Sequence, residues 1–249
     1  MKTVKTLFFA IVFAAISPLA QAQDMTADEI IDAYFENTGG QDNWEDIESL
    51  RYTGTANVQG MEFPWIMTMT EDGKQALVID FQGQKITQYA YDGETMWTTN
   101  FMTQEAEKAD AETSDNMKKA SKKNFISPLL NYKDKGYEVE LIGNETIEGT
   151  DTYKIKLTED PIMVDGVETP KISYYFFEKE NMVPIAIETE VKQGPMAGQK
   201  IQDSMSDYQE VDGLYFPFSM TQGGQAMQVT KIEVNPEIDD AVFAFPEKK

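Results

Sequence analysis

The side chains that most often carry covalent or proton-transfer chemistry are missing from this sequence of 249 residues, which contains no His and no Cys. Ser-His and Cys-His nucleophiles and His-ligated zinc are excluded on that ground. Without Cys we also expect neither a disulfide framework nor a cysteine-borne lipid anchor. Carboxylates are plentiful, 43 Asp and Glu in all, and a carboxylate pair can hydrolyse glycosides. Here they are scattered over turns and polar faces, as solvated charges are. We therefore expect no enzyme: no catalytic residue, no metal site and no cofactor. The formal charge of -22 and the pI near 4.3 argue against a nucleic-acid partner, which needs Lys/Arg stripes to neutralise phosphates.

The chemistry this sequence does offer is the exclusion of water. Leu50, Tyr52, Gly54, Ala56 and Val58 alternate with polar residues. After Gln59-Gly60 the alternation restarts with Met61, Phe63, Trp65, Met67 and Met69. Period-two patterns broken by a short Gly-containing stretch mark two half-buried strands joined by a hairpin. Aromatic rings beside unbranched thioethers make a large surface able to reshape itself around different apolar partners. We take Phe63, Trp65, Met67, Met69, Leu77, Ile79, Tyr89, Tyr91, Met96 and Trp97 as candidate walls of an apolar pocket. Phe101, Met102, Phe125, Leu129 and Leu130 are candidates for its lid.

Those walls need a sheet to hold them. Asp72-Gly73, Gln82-Gly83 and Asp92-Gly93 recur at ten-residue spacing, and Glu148-Gly149, Asp165-Gly166, Asp212-Gly213 and Gly223-Gly224 follow. Gly permits the positive φ of tight hairpin turns, and Asp tolerates it. Strands are expected near 49–59, 61–71, 74–81, 84–91, 94–99, 137–147, 151–159, 170–178, 183–192, 198–210, 213–222 and 225–234. The stretches 76–81 and 172–177 are apolar on both faces, so a helix or a ligand is expected over the second face. Ahead of the strands, Thr26 and Glu29 form a capping box for an amphipathic helix through Ile30, Ile31, Tyr34 and Phe35, ended by Gly39-Gly40. Another helical turn is expected over 42–47. Residues 101–131 interrupt the hairpins; their first half reads as mobile and their second half as one or two short helices. Lys2 and Lys5, the apolar run 7–16 and Ala20-Gln21-Ala22 read as a cleaved signal peptide over residues 1–22. Residues 23–249 are then a single exported β domain.

Two strings carry a family resemblance. Asp92-Gly93-Glu94-Thr95-Met96-Trp97, a turn entering a strand, and Ala241-Val242-Phe243-Ala244-Phe245-Pro246 near the C-terminus resemble the LolA/LolB-like superfamily of periplasmic lipoprotein carriers. The order of signal peptide, leading helix, hairpins, helical interruption and further hairpins is similar too. The resemblance implies a mainly β fold with a few helices: an incomplete antiparallel β-barrel, its curved sheet closed by a helical lid over an apolar cavity. It implies a periplasmic carrier that shields the acyl chains of lipoproteins or lipids, taking them from an inner-membrane ABC transporter to an outer-membrane acceptor. The soluble carrier fits better than the lipidated receptor, for want of a Cys. The carriers latch their lid with an arginine after the second hairpin strand. Here that region reads Glu71-Asp72-Gly73-Lys74, and the only arginine is Arg51.

A sixteen-carbon acyl chain costs on the order of 12 kcal/mol to expose to water, at 0.8 kcal/mol per methylene, so a soluble carrier must enclose it. Two other readings fit the same residues: an envelope lipid sensor on the same half-barrel, and a structural β domain with a filled interior. Carrier and sensor both require a lipid-accessible cavity, and the structural reading requires none. Paired Leu129→Asp and Leu130→Asp changes are expected to weaken lipid uptake more than folding.

Overall fold

A computed structural model describes residues 25–58 and 60–246; the signal peptide read over residues 1–22 lies outside the described residues. The chain enters through helix α1 (Ala27–Asn37). Its capping box forms as expected: the Glu29 N–H donates to Thr26 Oγ1 at 3.2 Å, and the Thr26 N–H donates to Glu29 Oε2 at 2.8 Å. Ile30, Ile31 and Phe35 make its buried face, the stripe that helical spacing requires. Helix α2 (Gln41–Glu45) is the short turn expected next. Its Trp44 packs edge-on against Phe216, with ring centroids 4.9 Å apart.

The first six strands are β1 (Ser49–Val58), β2 (Met61–Thr70), β3 (Gln75–Phe81), β4 (Gln84–Tyr91), β5 (Met96–Thr99) and β6 (Ala106–Lys108). After helix α3 (Ala111–Ala120) come β7 (Glu138–Ile147), β8 (Thr150–Val164), β9 (Val167–Glu178) and β10 (Pro184–Glu190). The last three are β11 (Lys200–Val211), β12 (Leu214–Gln222) and β13 (Gln225–Val234). Among the described residues all thirteen belong to one sheet, ordered β6-β5-β4-β3-β2-β1-β13-β12-β11-β10-β9-β8-β7. The chain therefore starts in the middle of its sheet, winds outward by hairpins to β6, crosses to the far edge at β7, and winds back. Every pairing is antiparallel, including β13 onto β1, where Tyr52 faces Ile232. Because β6 and β7 do not pair, the sheet is open rather than a closed barrel.

Helix α3 bridges β5 to the β8–β9 hairpin. The Met96 N–H of β5 donates to Ser114 Oγ at 3.2 Å. On the far side Asn116 accepts from the Met163 N–H at 2.8 Å and donates to the Met163 carbonyl at 2.7 Å. The Glu112 carboxylate accepts from the N–H groups of Asp165 and Gly166, at 2.8 and 2.7 Å, in the β8–β9 turn. These bonds explain why β8 and β9 run further than alternation indicates: their ends pair past an irregularity between Glu159 and Ile162, where α3 docks.

Three expectations are corrected. Within residues 101–131 the first half contains β6, a three-residue strand without alternation that exists only because Lys108 pairs with Trp97. The helix comes earlier than expected, over Ala111–Ala120, and turns follow it. Nor is the second face of β9 covered by a helix. Tyr175 and Phe177 face the main core, while Tyr174 and Phe176 pack with Ile147, Ala186 and Ile185. The Lys154 ammonium lies 5.0 and 4.9 Å from the Tyr174 and Phe176 ring centres, its aliphatic stem shielding them.

The main core fills one part of the sheet's inner face. Helices α1 and α2 and the turns after α3 bring Ile30, Phe35, Trp44, Leu129, Leu130 and Tyr137 against Leu50, Phe177 and Phe216. The C-terminal end of α1 sits at the end of the sheet where β12 begins, with the Tyr215 N–H donating to the Thr38 carbonyl at 3.0 Å. The other end of the inner face is not filled.

Candidate functional site

At that unfilled end lies a cavity of about 520 Å³. Register explains its walls. In β1, Gly54 and Ala56 stand opposite Trp65 and Phe63 of β2, and Ala56 is also opposite Met227 of β13. In the next pair, Trp65 stands opposite Ile79. Gly54 admits the tryptophan: a Cβ there would lie 2.5 Å from Trp65 Cζ2 and 2.2 Å from the Gln228 carbonyl. The Trp65 indole is buried, and its Nε1–H finds no acceptor among the described residues.

Strand β4 joins the wall through a bulge. Leu77 pairs with Tyr89 but Val78 with Thr87, so Gln88 is the extra residue. An extra residue shifts the pleat by one position. Ile86 and Tyr89, three apart and hence of opposite parity, thereby both reach the cavity. Burial pushes the Tyr89 phenol up to about 12, so this wall is uncharged at any physiological pH.

The lining thus contains Phe63, Trp65, Leu77, Ile79, Tyr89 and Phe101 of the expected residues. Met67 and Met69 share their face but sit deeper, packed on the core, with the Tyr89 hydroxyl donating to Met67 Sδ at 3.4 Å. Tyr91 is buried and donates to the Gly93 carbonyl at 2.7 Å, away from the cavity lining. Met96 lies beside α3, also outside the lining. Trp97 is on the opposite face of the sheet, clustered with Ala76, Ala90 and Phe243, because odd and even positions of a strand face opposite sides.

The lid residues separate as well. Phe101 stands at the mouth, whereas Met102 is 95% exposed. Phe125 is half-buried against the main core, and Leu129 and Leu130 belong to that core at 1% and 6% exposure. An aspartate at either leucine would bury an unpaired charge, so the paired Asp substitutions would unfold the protein rather than separate uptake from folding. The segment is fastened without an arginine. Lys123 pairs with Asp160 at 2.5 Å, and Asn124 donates to the buried Glu159 at 2.6 Å. Arg51 instead pairs with Glu233 at 3.6 Å, and Lys74 with Asp72 and Asp240, both at 3.1 Å.

Sequence reasoning missed Ala56, Val58, Phe81, Ile86 and Met227, and the glutamines Gln88, Gln104, Gln222 and Gln225. Alternation along β1 already placed Ala56 and Val58 on the right face. Met227 could not be found without the β1–β13 register. Among the described residues no charged side chain lines the cavity. The mouth faces the end of the sheet where the β1–β2, β3–β4 and β12–β13 turns and the β5–β6 loop lie together. Met61, Phe81 and Phe101 are exposed there, with Phe63 stacked on Phe81 at 5.7 Å.

No family model matches the chain, and no curated protein matches it either. Solved structures do. A LolA superfamily protein from Nitrosomonas europaea superposes with a TM-score of 0.51 at 13% identity, covering 88% of this chain and 98% of that one. A DUF1329 family protein from Desulfovibrio piger gives 0.47 at 14% identity, over 87% and 96% of the two chains. A domain assigned to outer membrane lipoprotein sorting, from Vibrio parahaemolyticus, gives 0.46 at 11% identity, over 86% and 94%. The first likeness shows a LolA-like fold; the other two, below 0.5, add nothing to it. The two strings that carry the resemblance in sequence prove to be one contact in space. Trp97 Nε1–H donates to the Phe243 carbonyl at 2.8 Å, and its ring meets Phe245 edge-on at 5.8 Å.

Proposed function

We propose that this protein is a periplasmic carrier that shields acyl chains of lipoproteins or lipids in the cavity and moves them toward the outer membrane. In this reading residues 1–22 are removed on export and 23–249 act as one binding domain. An inner-membrane ABC transporter loads it, and an outer-membrane acceptor receives the cargo. The observation that carries the reading is the cavity itself: about 520 Å³ of uncharged, mostly apolar space open at one end. A filled structural domain would have no use for such a space, since closing it would gain dispersion contacts and remove exposed apolar surface. The walls contain no nucleophile–base pair, and no cluster of potential metal ligands occurs among the described residues, so sequestration is the chemistry the site offers. No described helix is long and apolar enough to cross a membrane.

Native mass spectrometry of protein isolated from its own envelope, beside an Ala56→Phe variant that projects a ring into the cavity, tests this. We expect wild-type protein to carry co-purified lipid or lipoprotein and the variant to lose most of it while keeping its urea midpoint. Lipid-free wild-type protein, or undiminished cargo on the folded variant, would refute the carrier.

A further inference from the structure

We propose that the cavity selects an amphiphile with one hydrocarbon chain and an uncharged head group, a refinement that rests on the lipid-binding reading above. Capacity sets the chain number. A methylene fills the space of one liquid water, ~30 Å³, so 520 Å³ holds a single chain of about 17 carbons. The several tails of a lipoprotein exceed that volume, so in this conformation the cavity encloses one of them at a time.

Charge sets the head group. Beside apolar and aromatic side chains the lining holds, among the described residues, four amides, Gln88, Gln104, Gln222 and Gln225, and no Lys, Arg, Asp or Glu. Gln222 and Gln225 pair across the β12–β13 turn at the mouth. Gln104 stands beside them in the lining, its Nε2 donating to the Phe101 carbonyl at 2.7 Å. Primary amides both donate and accept, which suits esters, hydroxyls and amides. An anionic head finds no cation in this lining. Lys85, next in sequence to the cavity residue Ile86, stands opposite Asp80 in the β3–β4 register, on the other face of the pleat. An anion would also approach a protein of formal charge -22, whose summed field repels it. Partly desolvating a charge without a partner costs more than desolvating a polar group that amides can satisfy.

The test is displacement of the uncharged fluorophore N-phenyl-1-naphthylamine from the purified protein, by monopalmitoylglycerol and by palmitate, at neutral pH and below aggregation. Monopalmitoylglycerol should act at about tenfold lower concentration. Gln225→Lys, at an exposed turn position, should raise palmitate affinity about tenfold and weaken or cancel the preference for the glyceride. In a monoacylglycerol series affinity should climb with each methylene and level off near about 17 carbons. Palmitate binding as tightly as the glyceride overturns the head-group preference, and a gain continuing well past that length overturns the single-chain limit. Both results leave lipid binding itself intact. Failure of fluorophore and glyceride alike to bind would remove the lipid-binding reading and this proposal together.

Discussion

Gly54 and Trp65 show how one small residue sets the shape of a site. The indole lies where any side chain at position 54 would be, 2.5 Å from an added Cβ, and the Gln228 carbonyl closes the other side at 2.2 Å. Gly54→Ala must displace both the ring and the β1–β13 ladder, and should cost about 1–3 kcal/mol in urea unfolding. A variant as stable as wild type would mean the ring moves freely. Lys135 poses a different problem. Its ammonium donates to the Ser127 carbonyl at 2.8 Å, and burial pushes its pKa down from 10.5 to about 8. Below about 8 the side chain is charged in both states and the burial penalty is felt in full. From there toward 10.5 the unfolded chain holds the proton and the folded chain does not, so this group's contribution to stability rises with pH. The buried phenols of Tyr34 and Tyr52, raised by desolvation, oppose it only from 10.0 upward, where the unfolded tyrosines ionise. Urea midpoints measured across the mildly alkaline range should therefore climb in wild type and stay flatter in Lys135→Met. Identical slopes would remove Lys135 as the cause.

At the scale of elements, the C-terminal turn after β13 works as a clasp on the outer face of the sheet. Phe243 is 1% exposed and packs on Ala76 and Ala90, while Phe245 reaches Trp97 and the Lys108 ammonium at 5.0 Å. Phe243→Ala should cost about 3–5 kcal/mol, but Trp97→Phe, which loses mainly the bond to the Phe243 carbonyl, about 1 kcal/mol. Chemical denaturation of the two variants checks this ranking, and a reversed order would show that the indole bond dominates the clasp. The strong turn signal of Asp92-Gly93 and the aromatic C-terminal string are both legible in sequence. Their contact is not, because it joins positions 146 residues apart. For the same reason Trp97, which alternation alone could assign to either face, belongs to the clasp instead of the cavity.

At the scale of the molecule, a surface with 43 acidic and 21 basic residues repels itself in the compact state. Raising the ionic strength from about 0.01 M to 0.15 M shortens the screening length from ~30 to ~8 Å. We expect the thermal midpoint to rise over that range. A fall would mean that ion pairs such as Lys123–Asp160 and Lys133–Asp28, both at 2.5 Å, outweigh the net repulsion. The one-ended cavity is also a property of the whole. Helices α1 and α2 and the turns after α3 fill the inner face where β12 begins, and nothing from the same segments reaches the opposite turns. Apolar wall remains there, facing the hairpin ends.

What the sequence determined by itself was local. The Thr26–Glu29 capping box, the Gly-marked turns and the period-two alternation of β1 and β2 depend on residues a few positions apart, so strand and helix identities could be read directly. The tertiary structure decided what depends on distant partners: the β13–β1 register that adds Met227 to the cavity, and the bulge at Gln88 that turns Ile86 and Tyr89 to the same side. It also decided that Leu129 and Leu130 fill the core while Phe101 alone of the lid candidates stands at the mouth. Hydrophobicity says only that a side chain leaves water, and cross-strand pairing chooses which apolar surface it meets.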